Sequence, residues 1–153
     1  MKSIDNLETD IVKLFTKATN GLIETQKETA ENIKNDAKML APGDGTYRES
    51  IKISETRVTE NSIETDIYTD MTVSSLDGAK YNLGFLLENG TNPHTILPKN
   101  SDVLVFEKDG ETIFAKKVNH PGFEPRPHFI PAFKKNKIKY KINIAKSILR
   151  GDK

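Results

Sequence analysis

Apolar residues recur every three or four positions at the start of the chain. Ile4, Leu7, Ile11, Leu14, Ala18 and Leu22 fall on one stripe, and Ala30, Ile33, Ala37 and Leu40 continue it more weakly. Side chains three and four apart share a helix face, so residues 4–40 are predicted as one long amphipathic helix. Asn20-Gly21 is the expected place for a kink or break, since glycine costs about 1 kcal/mol in a helix interior. Unbroken, the helix spans roughly 50 Å at about 1.5 Å per residue, more than a core of this size covers. Part of it is then expected to pack on a neighbouring copy. The alternative is a solvated helix with a frayed, Thr- and Glu-rich second half.

Leu40-Ala41-Pro42-Gly43-Asp44-Gly45 is a run of breakers that ends this helix. Thr46-Tyr47-Arg48-Glu49 has the form of a capping box and predicts one helical turn. The period then falls to two. Residues 50–58 and 62–73 read as strands joined at Glu60-Asn61. Ile63, Thr65, Ile67, Thr69 and Met71 lie on the inner face, with Glu64, Asp66, Tyr68 and Asp70 outside.

Ser74–Gly78 is loop. The apolar run at 80–89 is too short to assign by period alone and is read as a short helix capped by Gly90. Residues 92–102 are predicted as loop. Residues 103–106 and 112–118 flank Lys108-Asp109-Gly110, a strong hairpin signal.

Four of the seven prolines, Pro121, Pro125, Pro127 and Pro131, fall within residues 118–133. They keep this segment extended up to Pro131, which is tolerated at a helix start and is read as the first residue of the last helix. In that helix, residues 131–150, Phe133, Ile138, Ile142, Ala145 and Leu149 are the expected buried stripe, with lysines elsewhere. The plain reading of the preceding segment is a loop from strand to helix. The functional reading is a strap that fixes where the last helix docks and so shapes an assembly surface.

The resulting fold class is α+β. It comprises a long N-terminal helix (1–40), a mainly antiparallel sheet of about four strands with a hairpin insertion and a short middle helix (46–118), a strap (119–130) and a C-terminal helix packed on the sheet (131–150). Together they make one domain, and 153 residues are enough for a real core. With 35% hydrophobic and 29% charged residues, burial is modest, which suits a subunit that completes its packing in an oligomer. The net charge of +1 supplies no global field to recruit nucleic acid or anionic membrane. The absence of cysteine excludes disulfides and thiolate metal sites. The N-terminus carries acids among its apolar residues, so neither a signal peptide nor a membrane span is expected. The default is a soluble protein made in the cytoplasm.

The three histidines, His94, His120 and His128, lie in proline-rich loops at wide separations, unlike a paired set of zinc ligands. They are read as structural or surface histidines. Nucleophile elbow, phosphate-cradling loop and helix-borne histidine pair are all missing, so catalytic, cofactor and metal residues are not expected. The lysines from Lys134 to Lys146 invite a nucleic-acid-binding reading, but aromatic stacking residues are lacking and arginines are few. A solvated face, or a face that meets an acidic partner subunit, is favoured.

Three segments in this order carry a resemblance: LAPGDGTYRESI at 40–51, YNLGFLLENGT at 81–91 and HPGFEPRPHFIPAF at 120–133. Together they resemble the head–tail joining, or tail-completion, proteins of tailed bacteriophages and prophages, the gene-product-ten family of the lambdoid phage Hong Kong ninety-seven. Ala41, Pro42, Asp44, Gly45, Ser50 and Ile51 match the family's Ala-Pro, its Asp- and Gly-containing turn and its Ser-Ile. Glu88, Gly90 and Thr91 match a Glu-x-Gly-Thr. Pro127, Phe129, Pro131 and Ala132 match an aromatic shortly before Pro-Ala. Gly43 is an extra glycine, Tyr47 stands where an aliphatic is common, and Asn89 replaces the usual aromatic. The hairpin at 103–118 looks like an insertion that many members carry.

The resemblance implies a non-enzymatic structural subunit of the virion neck or tail, assembled in the bacterial host cytoplasm, with no cofactor. Its implied partners are further copies of itself, commonly in hexameric rings, a portal-side adaptor or head-closure protein, and a tail terminator or tail tube protein. DNA passes through the ring without sequence-specific contact, and no membrane is involved.

Overall fold

A computed structural model describes residues 4–43, 45–75, 78–99 and 101–149. The fold class is α+β, as the periodicities predict. Helix α1 (Ile4–Leu40) leads to a single turn, α2 (Thr46–Glu49). Strands β1 (Ile51–Ile53), β2 (Arg57–Val58), β3 (Ile63–Glu64), β4 (Ile67–Thr69), β5 (Thr72–Ser74) and β6 (Lys80–Asn82) follow. After α3 (Leu83–Asn89) come β7 (His94–Ile96), β8 (Leu104–Lys108), β9 (Glu111–Ala115), β10 (Val118–His120) and α4 (Phe129–Leu149).

Helix α1 runs unbroken through Asn20-Gly21, where a kink was expected. Its glycine faces α4 instead. A Cβ placed on Gly21 would sit 3.4 Å from Ser147 Cβ, so the small residue lets the two helices approach. The single turn α2 forms as expected, but the capping box does not. Thr46 lies inside the turn, Gly45 at the cap position has no side chain, and Glu49 reaches back to Lys38 Nζ at 3.0 Å.

The expected sheet of about four strands is replaced by antiparallel pairs: β1–β4, β2–β3, β5–β6, β7–β10 and β8–β9. Described strands run only two to five residues, too short to build a wide ladder. The first two pairs make one interrupted ribbon closed at Glu60-Asn61, where Thr59 N–H donates to Ser62 O at 2.9 Å. Its faces are those the alternation predicts. Ile63, Thr65, Ile67, Thr69 and Met71 are half-buried or buried, and Glu64, Asp66, Tyr68 and Asp70 are exposed. Strand β7 forms within the segment expected to be loop, with His94 opposite His120 and Ile96 opposite Val118. Asp109 (φ 53°) and Gly110 (φ 82°) turn the β8–β9 hairpin, as Asp-Gly predicts.

The core is small. Ile33, Ala37, Ala41, Tyr47, Ile51 and Ala132 are buried together, with Ile67, Met71, Leu83, Leu87 and Phe129 packed around them. The buried part of α1 is therefore its weakly apolar second half.

Helix α4 departs most from expectation. It starts at Phe129, so Pro131 is its third residue rather than its first. It packs chiefly along α1, antiparallel to it, rather than on the sheet. The side chains turned inward are Ala132 and Asn136, followed by the half-buried Tyr140, Asn143, Ile144 and Ser147. Polar pairing holds this face. Asn136 Nδ2 donates to Asp36 Oδ2 (2.7 Å) and Ala132 O (2.9 Å), and Tyr140 O–H donates to Gln26 Oε1 (2.6 Å). Lys135 Nζ meets the other Asp36 oxygen at 2.7 Å. The expected stripe of Phe133, Ile138, Ile142, Ala145 and Leu149 is exposed instead.

Candidate assembly site

The three sequence motifs meet at one junction. Asn82 caps α3 by accepting from Phe85 N–H at 3.0 Å, which carries Glu88 in the last turn of α3 to the start of α4. Glu88 Oε2 accepts from the N–H groups of His128 (2.8 Å) and Phe129 (3.0 Å), and Oε1 from Ile130 (2.9 Å). The next residue, Pro131, has no N–H to satisfy. Ala132 N–H reaches His128 O at 3.3 Å. One carboxylate and one proline thus settle the amides that a helix start leaves without partners. Burial pushes the Glu88 carboxyl up, but the three amide donors outweigh it, so its pKa lies below the ordinary carboxylate value.

His128 is fully buried beneath this cap. Its Nδ1 lies 3.0 Å from Arg126 O, and a carbonyl only accepts, so Nδ1 carries the hydrogen. Nε2 is left to accept from the Tyr47 hydroxyl at 2.6 Å. Tyr47 is raised to about 12, by burial first and by the Glu88 charge second. The pair is sealed from solvent, so it fixes the junction rather than meeting a substrate.

The strap is stitched to the end of α3 by backbone. Thr91 and Phe123 exchange N–H···O bonds of 3.0 and 3.1 Å, and Arg126 N–H donates to Leu87 O at 2.7 Å. Gly90 (φ 69°) and Gly122 (φ 74°) are required here. A Cβ would fall 2.6 Å from Phe123 O at the first and 2.1 Å from Thr91 O at the second.

Of the other motif residues, Ala41, Ile51, Phe129 and Ala132 belong to the core or pack on it. Ser50 Oγ donates to Tyr47 O (2.6 Å) and lies 2.7 Å from Thr69 Oγ1. Gly45 O accepts from Glu49 N–H at 2.8 Å, Pro42 and Pro131 are half-buried, and Pro127 is exposed. Asp44 lies outside the described residues. Most of the motif set therefore works inside the chain, fixing how α4 lies on α1. His128 is structural, one of the two readings its sequence allowed, while the roles of Tyr47 and the Asp36–Asn136 pair were not foreseen.

Comparison of the chain with protein-family models, with curated proteins and with solved structures finds no match in any of the three.

Away from this junction, α1 and α4 carry exposed apolar side chains. Helix α4 ends near Gly21, so the first turns of α1 project past it for roughly 20 Å at about 1.5 Å per residue. Leu7, Ile11, Val12, Leu14 and Phe15 on that projection are exposed, Phe15 by 71%. On α4, Ile138 (71%), Ile142 (49%) and Leu149 (73%) face solvent beside Lys134, Lys137 and Lys141.

The histidines divide in two. His94 and His120 stack at 5.0 Å between ring centroids, and His128 lies apart in the core. Among the described residues, no three His, Cys, Asp or Glu side chains gather as a metal site requires. Among the described residues, no helix is long and apolar enough to cross a membrane.

Proposed function

We propose that this chain is a structural subunit of a phage or prophage-derived particle. Copies of it form a ring at the neck, joining the portal-side adaptor or head-closure protein to the tail terminator or tail tube. DNA passes through the ring without sequence-specific contact. The observation that carries the reading is the uncovered apolar surface of α1 and α4. Lone proteins rarely expose contiguous apolar patches beyond about 300–600 Å². Large apolar side chains on these two helices, among them Leu7, Ile11, Val12, Leu14, Phe15, Ile138, Ile142 and Leu149, stand at 43% exposure or more. Head-to-tail contacts between identical subunits close into rings when the rotation divides a full turn. The lysines of α4 stand beside exposed isoleucines, a mixture that suits a protein partner better than a phosphate backbone.

The test is electron microscopy of particles assembled without this chain. Unjoined heads and tails, or tails lacking their upper end, are expected. Normal particles would defeat the proposal.

A further inference from the structure

Two exposed stripes in this chain share one spacing. On α1, Leu7, Ile11, Leu14 and Ala18 follow one another by four, three and four positions, and on α4 so do Ile138, Ile142, Ala145 and Leu149. That spacing makes the narrow seam through which two helices pack in a coiled coil. The large side chains of both stripes are all at least 43% exposed. They cannot cover each other within one chain. Helix α4 gives α1 the face of Ala132, Asn136, Tyr140 and Ser147, so its own stripe points away, and the α1 stripe runs past the described end of α4 near Gly21.

Charge tells the two stripes apart. Helix α4 contains no Asp or Glu, and Lys134, Lys139, Lys141 and Lys146 flank its stripe. Among the described residues of α4, only Lys135 closes an ion pair, with Asp36. Lys139 and Lys146 border a cleft that Glu24 and Glu28 also line, without pairing there. Two stripes edged by lysine repel, so α4 of one copy is disfavoured against α4 of another. The α1 stripe is flanked by Glu8, Asp10, Phe15 and Lys17, acidic in its first turns.

We propose that the α1 stripe of one copy packs, in parallel, on the α4 stripe of the next. Leu7 then lies beside Ile138, Ile11 beside Ile142, Leu14 beside Ala145 and Ala18 beside Leu149. Flanking residues about five positions apart along such a seam face each other and set its partner and direction. Glu8 meets Lys134, Asp10 meets Lys146, and Phe15 lies under Lys141. Lys139 faces a position before the described residues, and Lys17 falls beyond Leu149. The antiparallel alignment of the same stripes would set Lys17 against Lys141 and Asp10 against Ile148. Exposed ion pairs add little affinity, so the apolar seam supplies the binding and the charges choose partner and register. Different surfaces of one molecule that fit each other make a head-to-tail contact. Each copy makes it twice, once through α1 and once through α4, so ring closure reinforces contacts that are short individually. The proposal rests on the assembly of identical copies and not on the particle in which they assemble.

The test exchanges charge. One full-length variant carries Glu8→Lys and Asp10→Lys, and a second carries Lys134→Glu and Lys146→Glu. None of these side chains is buried, and circular dichroism checks that both variants fold. Sedimentation at low salt should show self-association weakened at least about tenfold in each variant alone, because like charges then face each other at every contact. An equimolar mixture should recover it, since α1 of each variant now meets opposite charge on α4 of the other. The chain has no cysteine, so Leu14→Cys and Ala145→Cys report the register: a disulfide dimer should form in their mixture and in neither alone. Undiminished association of both charge variants, or no recovery on mixing, would overturn this contact, and an oligomeric wild type would still leave the ring standing. A dimer of Leu14→Cys alone would mean α1 against α1 and overturn it as well. A wild-type chain that stays monomeric at its highest soluble concentration and gives no mixed disulfide would remove both the contact and the self-assembly it rests on.

Discussion

Glu88→Ala is the most informative single change, because one carboxylate serves the three amides that open α4, two of them part-buried. Each hydrogen bond to an ionised group contributes about 1.5–3 kcal/mol, and each buried donor left unsatisfied costs about 1–3 kcal/mol. Contributions that share one side chain overlap, so a loss of roughly 3–5 kcal/mol is expected, against about 5–15 kcal/mol for a whole domain. In a chain of this length that lowers the melting temperature by about 10 °C. Glu88→Gln keeps an acceptor oxygen but loses the charge, and should cost about half as much.

The chain has no tryptophan, so urea unfolding is followed by far-ultraviolet circular dichroism. Acid should erase the gap between wild type and Glu88→Gln. The folded chain holds Glu88 below its ordinary pKa of 4.5, so its contribution is complete above that pH and disappears as pH falls through the lower folded value. A Glu88→Ala protein within about 1 kcal/mol of wild type, or a gap that survives full protonation, would refute the capping argument.

Tyr47→Phe leaves His128 Nε2 buried without its donor and should cost about 1–3 kcal/mol in the same titration. Because folding raises Tyr47 from 10.0 to about 12, its protonated form stabilises the fold. Stability should therefore fall by up to about 3 kcal/mol as pH rises through that window, and Tyr47→Phe should remove most of the slope. Gly122→Ala drives a Cβ to 2.1 Å from Thr91 O at φ 74° and should cost roughly 3 kcal/mol or prevent folding. Gly43→Ala, also at positive φ but with nothing within 4 Å, should cost only about 1 kcal/mol. Ile138→Ser with Ile142→Ser should leave the unfolding free energy of the single chain within about 1 kcal/mol, yet weaken self-association measured by sedimentation.

Local periodicity carried much of the fold. The three-four stripe fits the extent of α1, the alternation from Ile63 to Met71 separates the inner face from the outer, and Asp109-Gly110 marks the hairpin turn. Periodicity does not say which side of a helix meets the core. In α4 the apolar stripe points outward, because Asn136 and Tyr140 find Asp36 and Gln26, partners about a hundred residues earlier that no spacing rule indicates. Strand β7 was invisible because its three residues pair with β10 only through long-range register, which also stacks His94 on His120. The motif residues could be named from the sequence, but their meeting could not. Glu88 reads as one more carboxylate until its three amide donors come from residues forty to forty-two positions later.

The central claim is that α1 and α4 expose an apolar surface which identical copies cover for one another. An electron cryo-microscopy map of the assembled particle at side-chain detail tests it most directly. The account predicts a closed ring of this chain at the junction of head and tail, with Leu7, Phe15, Ile138 and Leu149 buried against an adjacent copy. A map that places the chain outside any ring, or leaves those four side chains facing water, would contradict it.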